Sequence, residues 1–182
     1  GDVLILTKSI GTGILSSAMK RGLLNEKRNK DLIDSMSELN AKATEIASKY
    51  DIHACTDISG FGLLGHLFEM TRASDRSAEI YLDKIQLLDG VLEFVTSGII
   101  PGETKNNLDF VAGKVEFDPS IPEIMKSILA DAQTSGGLLF SLPAEQGKKL
   151  TTDLKANKIL HSMIGRIVEK KQKDIIVLQT SE

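Results

Sequence analysis

The chain has one cysteine, four prolines, two tyrosines and no tryptophan in 182 residues. With Cys55 alone no internal disulfide can form, and no second cysteine stands at zinc-ligand spacing, so a reducing cytoplasm is the expected compartment. No apolar run approaches the ~20 residues of a bilayer span, and no basic n-region leads into an apolar stretch at the start. Membrane association is not expected. Against 25 acidic side chains stand 22 basic ones, a net charge of −3, so there is no basic surplus to neutralise a nucleic-acid backbone. Small molecules and proteins remain as partners.

What is present is a regular alternation of elements. Asp2–Thr7 carries the aliphatic run of a buried strand, closed by the glycine-punctuated "KSIGTG", and a helix is expected from Ile14 to Gly22. "KRGLLNEKRNK" reads as a basic connector. From Asp31 to Tyr50 the apolar positions Leu32, Ile33, Met36, Leu39, Ala43, Ile46, Ala47 and Tyr50 recur at helical steps, which predicts one amphipathic helix. A short strand, Ile52–Thr56, leads through "TDISGFG" into a helix over Leu63–Ala73. Strand Ala78–Leu82 and a helix over Leu87–Thr96 follow, and then "SGIIPGETKNN", rich in glycine, proline and asparagine, reads as a loop. A strand at Lys114–Phe117, a helix over Pro122–Ala130, the loop "DAQTSGG", strand Leu138–Leu142 and helix Ala144–Ala156 come next. "MIGRIVE" and "DIIVL" around "KKQK" read as a closing hairpin. The pattern predicts one α+β domain with a mixed sheet flanked by helices.

Two strand-to-helix turns share T-x-x-x-G-x-G, at Thr7–Gly13 and Thr56–Gly62. Either could present helix-start N–H groups to an anion, or simply turn. Gly60, Gly62 and Gly65 also satisfy G-x-G-x-x-G between a strand and a helix, with Asp83 ending the next strand, so an NAD(P)-binding reading must be weighed. Against it, Asp57-Ile58-Ser59 separates strand from glycine and puts a carboxylate where a phosphate should sit. Asp57 is open to two readings: an Asx turn or helix cap, or a ligand for a hard cation such as Mg2+, which takes one or two carboxylates beside phosphate oxygens. His53, His66 and His161 form no ligand set with Cys55, which reads as a small buried residue. In "QTSGGLLF", Gly136 and Gly137 are candidates for an anion nest or for a tight turn.

Taken together, "GDVLILTKSIGTGI", "ACTDISGFGLLGH", "IPGETKNN" and "DAQTSGGLL" resemble, in order and spacing, the C-terminal half of the selenophosphate synthetases (selenide, water dikinases). Aminoimidazole ribonucleotide synthetase, thiamine monophosphate kinase and a hydrogenase maturation factor share that superfamily's fold with different loops. The resemblance implies ATP-dependent conversion of selenide to selenophosphate, with release of AMP and orthophosphate. It implies that the catalytic cysteine or selenocysteine, its lysine and most nucleotide ligands lie in an N-terminal half absent from residues 1–182, and that the intact protein is a homodimer. No catalytic residue is expected in this chain, and Cys55 does not match the family's nucleophile. Asp57 matches the family's aspartate at Mg2+, while Thr104 and Asn107 are expected to fix a loop. Ser9, Glu103 and Ala132 depart from the family's usual proline, glycine and proline, and touch none of these assignments.

Overall fold

The computed structural model describes residues 1–179. Its first strand, β1 (Asp2–Thr7), lies inside the sheet and is buried from Leu4 onward. Leu4 and Leu6 enter the larger of two hydrophobic clusters and Ile5 the smaller. A strand covered on both faces has no polar side, and hence reads as an unbroken aliphatic run. Six further strands complete one sheet: β2 (Ala54–Asp57), β3 (Ser77–Tyr81), β4 (Val115–Phe117), β5 (Leu138–Pro143), β6 (His161–Val168) and β7 (Ile175–Leu178), in the order β2-β5-β1-β6-β3-β7-β4. All pairings are antiparallel except β3 with β7 and β7 with β4. The sheet is mixed and helix-flanked, as expected.

Helices cover both faces. The larger cluster takes Ile14, Leu15 and Ala18 of α1 (Thr12–Lys20), Leu32 of α2 (Glu26–Ser37) and four apolar side chains of α4 (Gly62–Ser74). It also takes Val91, Phe94 and Val95 of α5 (Val91–Thr96), Leu108 of α6 (Gly102–Phe110), and Ile128 and Leu129 of α7 (Glu123–Leu129). The smaller cluster seats α3 (Ala41–Ala47) and α8 (Ala144–Ala156) on Ile5, Phe140 and Leu142.

Four sequence expectations are corrected. The single helix over Asp31–Tyr50 is two: α2 starts at Glu26, inside the supposed basic connector, where Asn25 caps it by accepting from Arg28 N–H at 2.9 Å. It ends where Glu38 turns extended, and Leu39 is 79% exposed. The break is needed because α2 packs in one cluster and α3 in the other. The "PGETKNN" loop is instead helix α6, with Pro101 just before its first turn, where a missing N–H costs nothing. The closing hairpin does not form, because β3 lies between β6 and β7. A reversal of chain direction does not require adjacency, and the six residues 169–174 are long enough to pass one intervening strand. Finally, Leu82–Lys84 is a 3-10 turn and α5 begins only at Val91, after Gly90 at φ 91°.

Candidate functional site

Asp57 is the last residue of β2, opposite Leu138 on β5. Its neighbour Ile58 is completely buried and donates its N–H to Gly137 O at 2.8 Å, while the Asp57 side chain is exposed. The buried side chain anchors the chain and the carboxylate projects from the anchor. Ser59 O then accepts from Gln133 N–H at 2.9 Å. The Asn107 amide donates to both Gly60 O and Ala130 O at 2.9 Å, joining α6 to the turn and to the end of α7. Gly62 sits at φ +68°, and a Cβ there would lie 2.8 Å from the Ala130 carbonyl. Three segments distant in sequence therefore fix the turn after Asp57, and Asn107 does more than stabilise its own loop.

The other glycine turn is already filled by the chain itself. α1 has Gly11 at its cap position and no local side-chain cap. Gln133 Oε1 accepts from Gly11 and Thr12 N–H at 2.9 and 3.1 Å, and Asp131 Oδ2 from Gly13 and Ile14 N–H at 3.1 and 3.2 Å. All four orphan donors of the helix start are thereby satisfied. Asp131 is fully buried, and burial pushes its carboxyl up to about 7, against the donors from Ile14, Gln133 and Gly13 that favour the charged form. Its second oxygen, Oδ1, is buried without a hydrogen-bond partner.

Lys8 is likewise committed: its ammonium donates to Ser35, Glu38 and Ser135 carbonyls at 3.1, 2.6 and 2.7 Å, with burial lowering its pKa. Asp131, Gln133 and Lys8 were missed in the sequence, where the usable signal was a helix start with glycine at its cap and therefore in need of distant acceptors.

Gly136 and Gly137 are explained by close approach. A Cβ would fall 2.1 Å from Ile58 O at the first and 1.2 Å from Thr7 O at the second. Cys55 is exposed rather than buried, because β2 is an edge strand, and partial burial followed by the Asp57 charge pushes its thiol pKa up. His53 lies 2.7 Å from Asp2 Oδ2, which holds the imidazole pKa up.

The dinucleotide reading fails on topology. It needs β2 and β3 as parallel neighbours joined by α4, whereas three strands separate them. Asp83 is in the 3-10 turn, 2.7 Å from Lys84, and lines a groove of about 710 Å³ with Val3, Tyr81, Met163 and Arg166 on β1, β3 and β6. That groove involves none of the residues that hold the Asp57 turn.

For a divalent cation, Asp57 is a suitable single donor: a hard, exposed carboxylate that no described cationic side chain pairs with. Among the described residues no group of three or more His, Cys, Asp or Glu is placed to hold a metal. This chain can thus offer one ligand from a rigid turn, which is the share Mg2+ bound to phosphates takes from one element.

Residues 1–178 match the family model described as AIR synthase related protein, C-terminal domain. The chain is 40% identical over 177 residues to a protein of Clostridium botulinum (strain Eklund 17B / Type B) named selenide, water dikinase, with 97% of this chain and 51% of that protein covered. Among solved structures it is similar to thiamine-monophosphate kinase from Stenotrophomonas maltophilia K279a, with a TM-score of 0.64 at 16% identity over 97% of this chain and 50% of the other. It is also similar to hydrogenase maturation protein HypE in complex with ATP, with a TM-score of 0.60 at 18% identity, covering 93% and 43% of the two chains. The chain spans about half the length of the curated relatives it matches.

Proposed function

The chain belongs to the C-terminal domain family of AIR synthase related proteins, and from that premise we propose that it is the C-terminal domain of a selenide, water dikinase. The parent enzyme makes selenophosphate from selenide and ATP, releasing AMP and orthophosphate. The observation that carries the reading is Asp57: an exposed carboxylate, unpaired by any described cation, on a turn fastened by Asn107, Gln133 and Gly137, in a chain 40% identical to a protein of that name.

In this reading Asp57 supplies one Mg2+ ligand and the turn Ile58–Phe61 forms one wall of the active site. The chain's own N-terminal domain supplies the nucleophile, the further carboxylates and most contacts to ATP. The cation, when bound, offsets phosphate charge that would repel an incoming selenide anion. The residues of this chain hold the ligand still: Ile58 buries, Gly137 and Gln133 bond the backbone, and Asn107 ties the turn to α7. The intact protein is read as a cytoplasmic homodimer.

The test is Asp57→Ala in the intact enzyme. Selenide-dependent ATP turnover is expected to vanish while the thermal midpoint stays within about 2 °C, since the side chain is exposed. Near-normal turnover would refute the assignment.

A further inference from the structure

The turn that carries Asp57 holds a second pair of groups that metal binding does not use. Ser59 places Oγ 3.1 Å from Nε2 of His66, and Nδ1 of that ring faces Glu69 Oε2 at 3.6 Å. His66 is buried, with the Phe61 ring 5.7 Å from its own, whereas Ser59 is half-buried and within reach of solvent. In the tautomer with its proton on Nδ1, the side that faces Glu69, the ring leaves Nε2 as the acceptor. Ser59 then donates its hydroxyl proton to the ring, and its oxygen lone pairs are left for another donor.

The cap position of α4 is Phe61, which makes no side-chain cap bond, and Ser59, two residues before it, turns its hydroxyl to the imidazole. Its main chain is fixed on either side, by Gln133 at its own carbonyl and by Asn107 at Gly60. A hydroxyl within hydrogen-bond reach of an imidazole nitrogen can pass its proton to the ring, and the Glu69 carboxylate of the same helix lies near the other nitrogen without bonding it.

Resting on the selenide, water dikinase reading, we propose that Ser59 orients the water that releases orthophosphate, with His66 as the residue that positions it. Formation of selenophosphate, AMP and orthophosphate from ATP breaks two phosphoanhydride bonds, one phosphoryl group going to selenide and one to water. In the hydrolytic step the water oxygen forms the new bond to phosphorus. The bridging bond breaks with its electron pair on the nucleotide oxygen. The water's proton passes to Ser59 Oγ as the serine proton passes to His66 Nε2.

The test is product partition in the full-length enzyme supplied with selenide, Mg2+ and ATP, with nucleotides resolved by chromatography. Ser59→Ala and His66→Leu are expected to lower AMP formation at least 10-fold while ADP accumulates. His66→Gln, whose amide oxygen can still accept the serine proton, should recover part of the loss. Adding Ser59→Ala to His66→Leu should cost nothing further. AMP formation within two-fold of the parent in Ser59→Ala would overturn the proposal, and so would a parallel loss of all products with no ADP build-up, which marks a structural serine. Asp57→Ala run alongside separates the two levels: an inactive Asp57→Ala with an unaffected Ser59→Ala removes only the water-orienting role, whereas an active Asp57→Ala removes the reading beneath it.

Discussion

Replacing Asp131 by asparagine tests whether a buried acid, rather than a buried anion, joins α1 to the loop 131–137. The carboxyl is fully inaccessible, and burial raises it from an ordinary value of 3.8 to about 7. In the folded chain it holds a proton between about pH 4 and 7 that the unfolded chain has released. Stability from this group is therefore fully present below the unfolded value and is lost as pH rises through the folded one. The gap between the two values corresponds to on the order of 4 kcal/mol, or roughly 10 °C in Tm for a chain of this size.

Asparagine cannot ionise, yet its side-chain oxygen can still accept from Gly13 and Ile14. The assay is thermal or urea unfolding of both proteins from pH 4.5 to 8. The parent should lose stability relative to Asp131→Asn as pH rises, with the difference levelling off above about 7. Groups such as His53 and Glu79 titrate in both proteins and cancel in the difference. Parallel profiles would refute the reasoning, and would mean that the helix-start donors hold the carboxylate ionised despite its burial.

Other perturbations follow from the same geometry. Gly137→Ala would put a Cβ 1.2 Å from Thr7 O, a clash with backbone that cannot yield, and should cost at least about 3 kcal/mol in denaturant unfolding. Gly60→Ala, with nothing within 4 Å of the added carbon, should cost less than about 1 kcal/mol. Equal effects at the two sites would contradict the close-approach account. Glu79 accepts from Lys171 and Arg166 at 2.6 and 2.7–2.8 Å, and these partners, Lys171 first, hold its carboxyl below the usual range. Glu79→Gln should cost about 1–2 kcal/mol at pH 7, discounted because both cations are half exposed. That difference should shrink as pH falls below about 4, and a difference independent of pH would mean that the charge contributes nothing.

The elements that could be read directly were those whose signal is local. β1, β5, α4 and α8 lie close to where periodicity and turn residues put them, and "TDISGFGLLGH" and "QTSGGLL" carried the family. A fully buried strand has to be aliphatic whatever its neighbours are, and a helix on a core has to repeat every three to four residues. Where the reading failed, a partner far along the chain decided the outcome. One helical period ran through α2 and α3 because each has its own apolar face, and only the two separate clusters required the break. α6 looked like a loop because its buried face carries Thr104 and Asn107, and the Asn107 amide is tolerated there only because Gly60 and Ala130 present carbonyls. β6 and β7 looked like a hairpin, and β3, some ninety residues earlier, came between them.

The sequence by itself therefore determined most of the strands and helices and the family, and it singled out Asp57 as the carboxylate proposed here for a metal. Only the tertiary structure decided that Asp131 and Gln133, more than a hundred residues from α1, close the helix start that the sequence offered as an anion site, and that Ser59 faces His66. Propensity and periodicity act over one or two turns of chain. The satisfaction of a buried donor or acceptor depends on whichever group folding brings within 3 Å, and no local pattern carries that information.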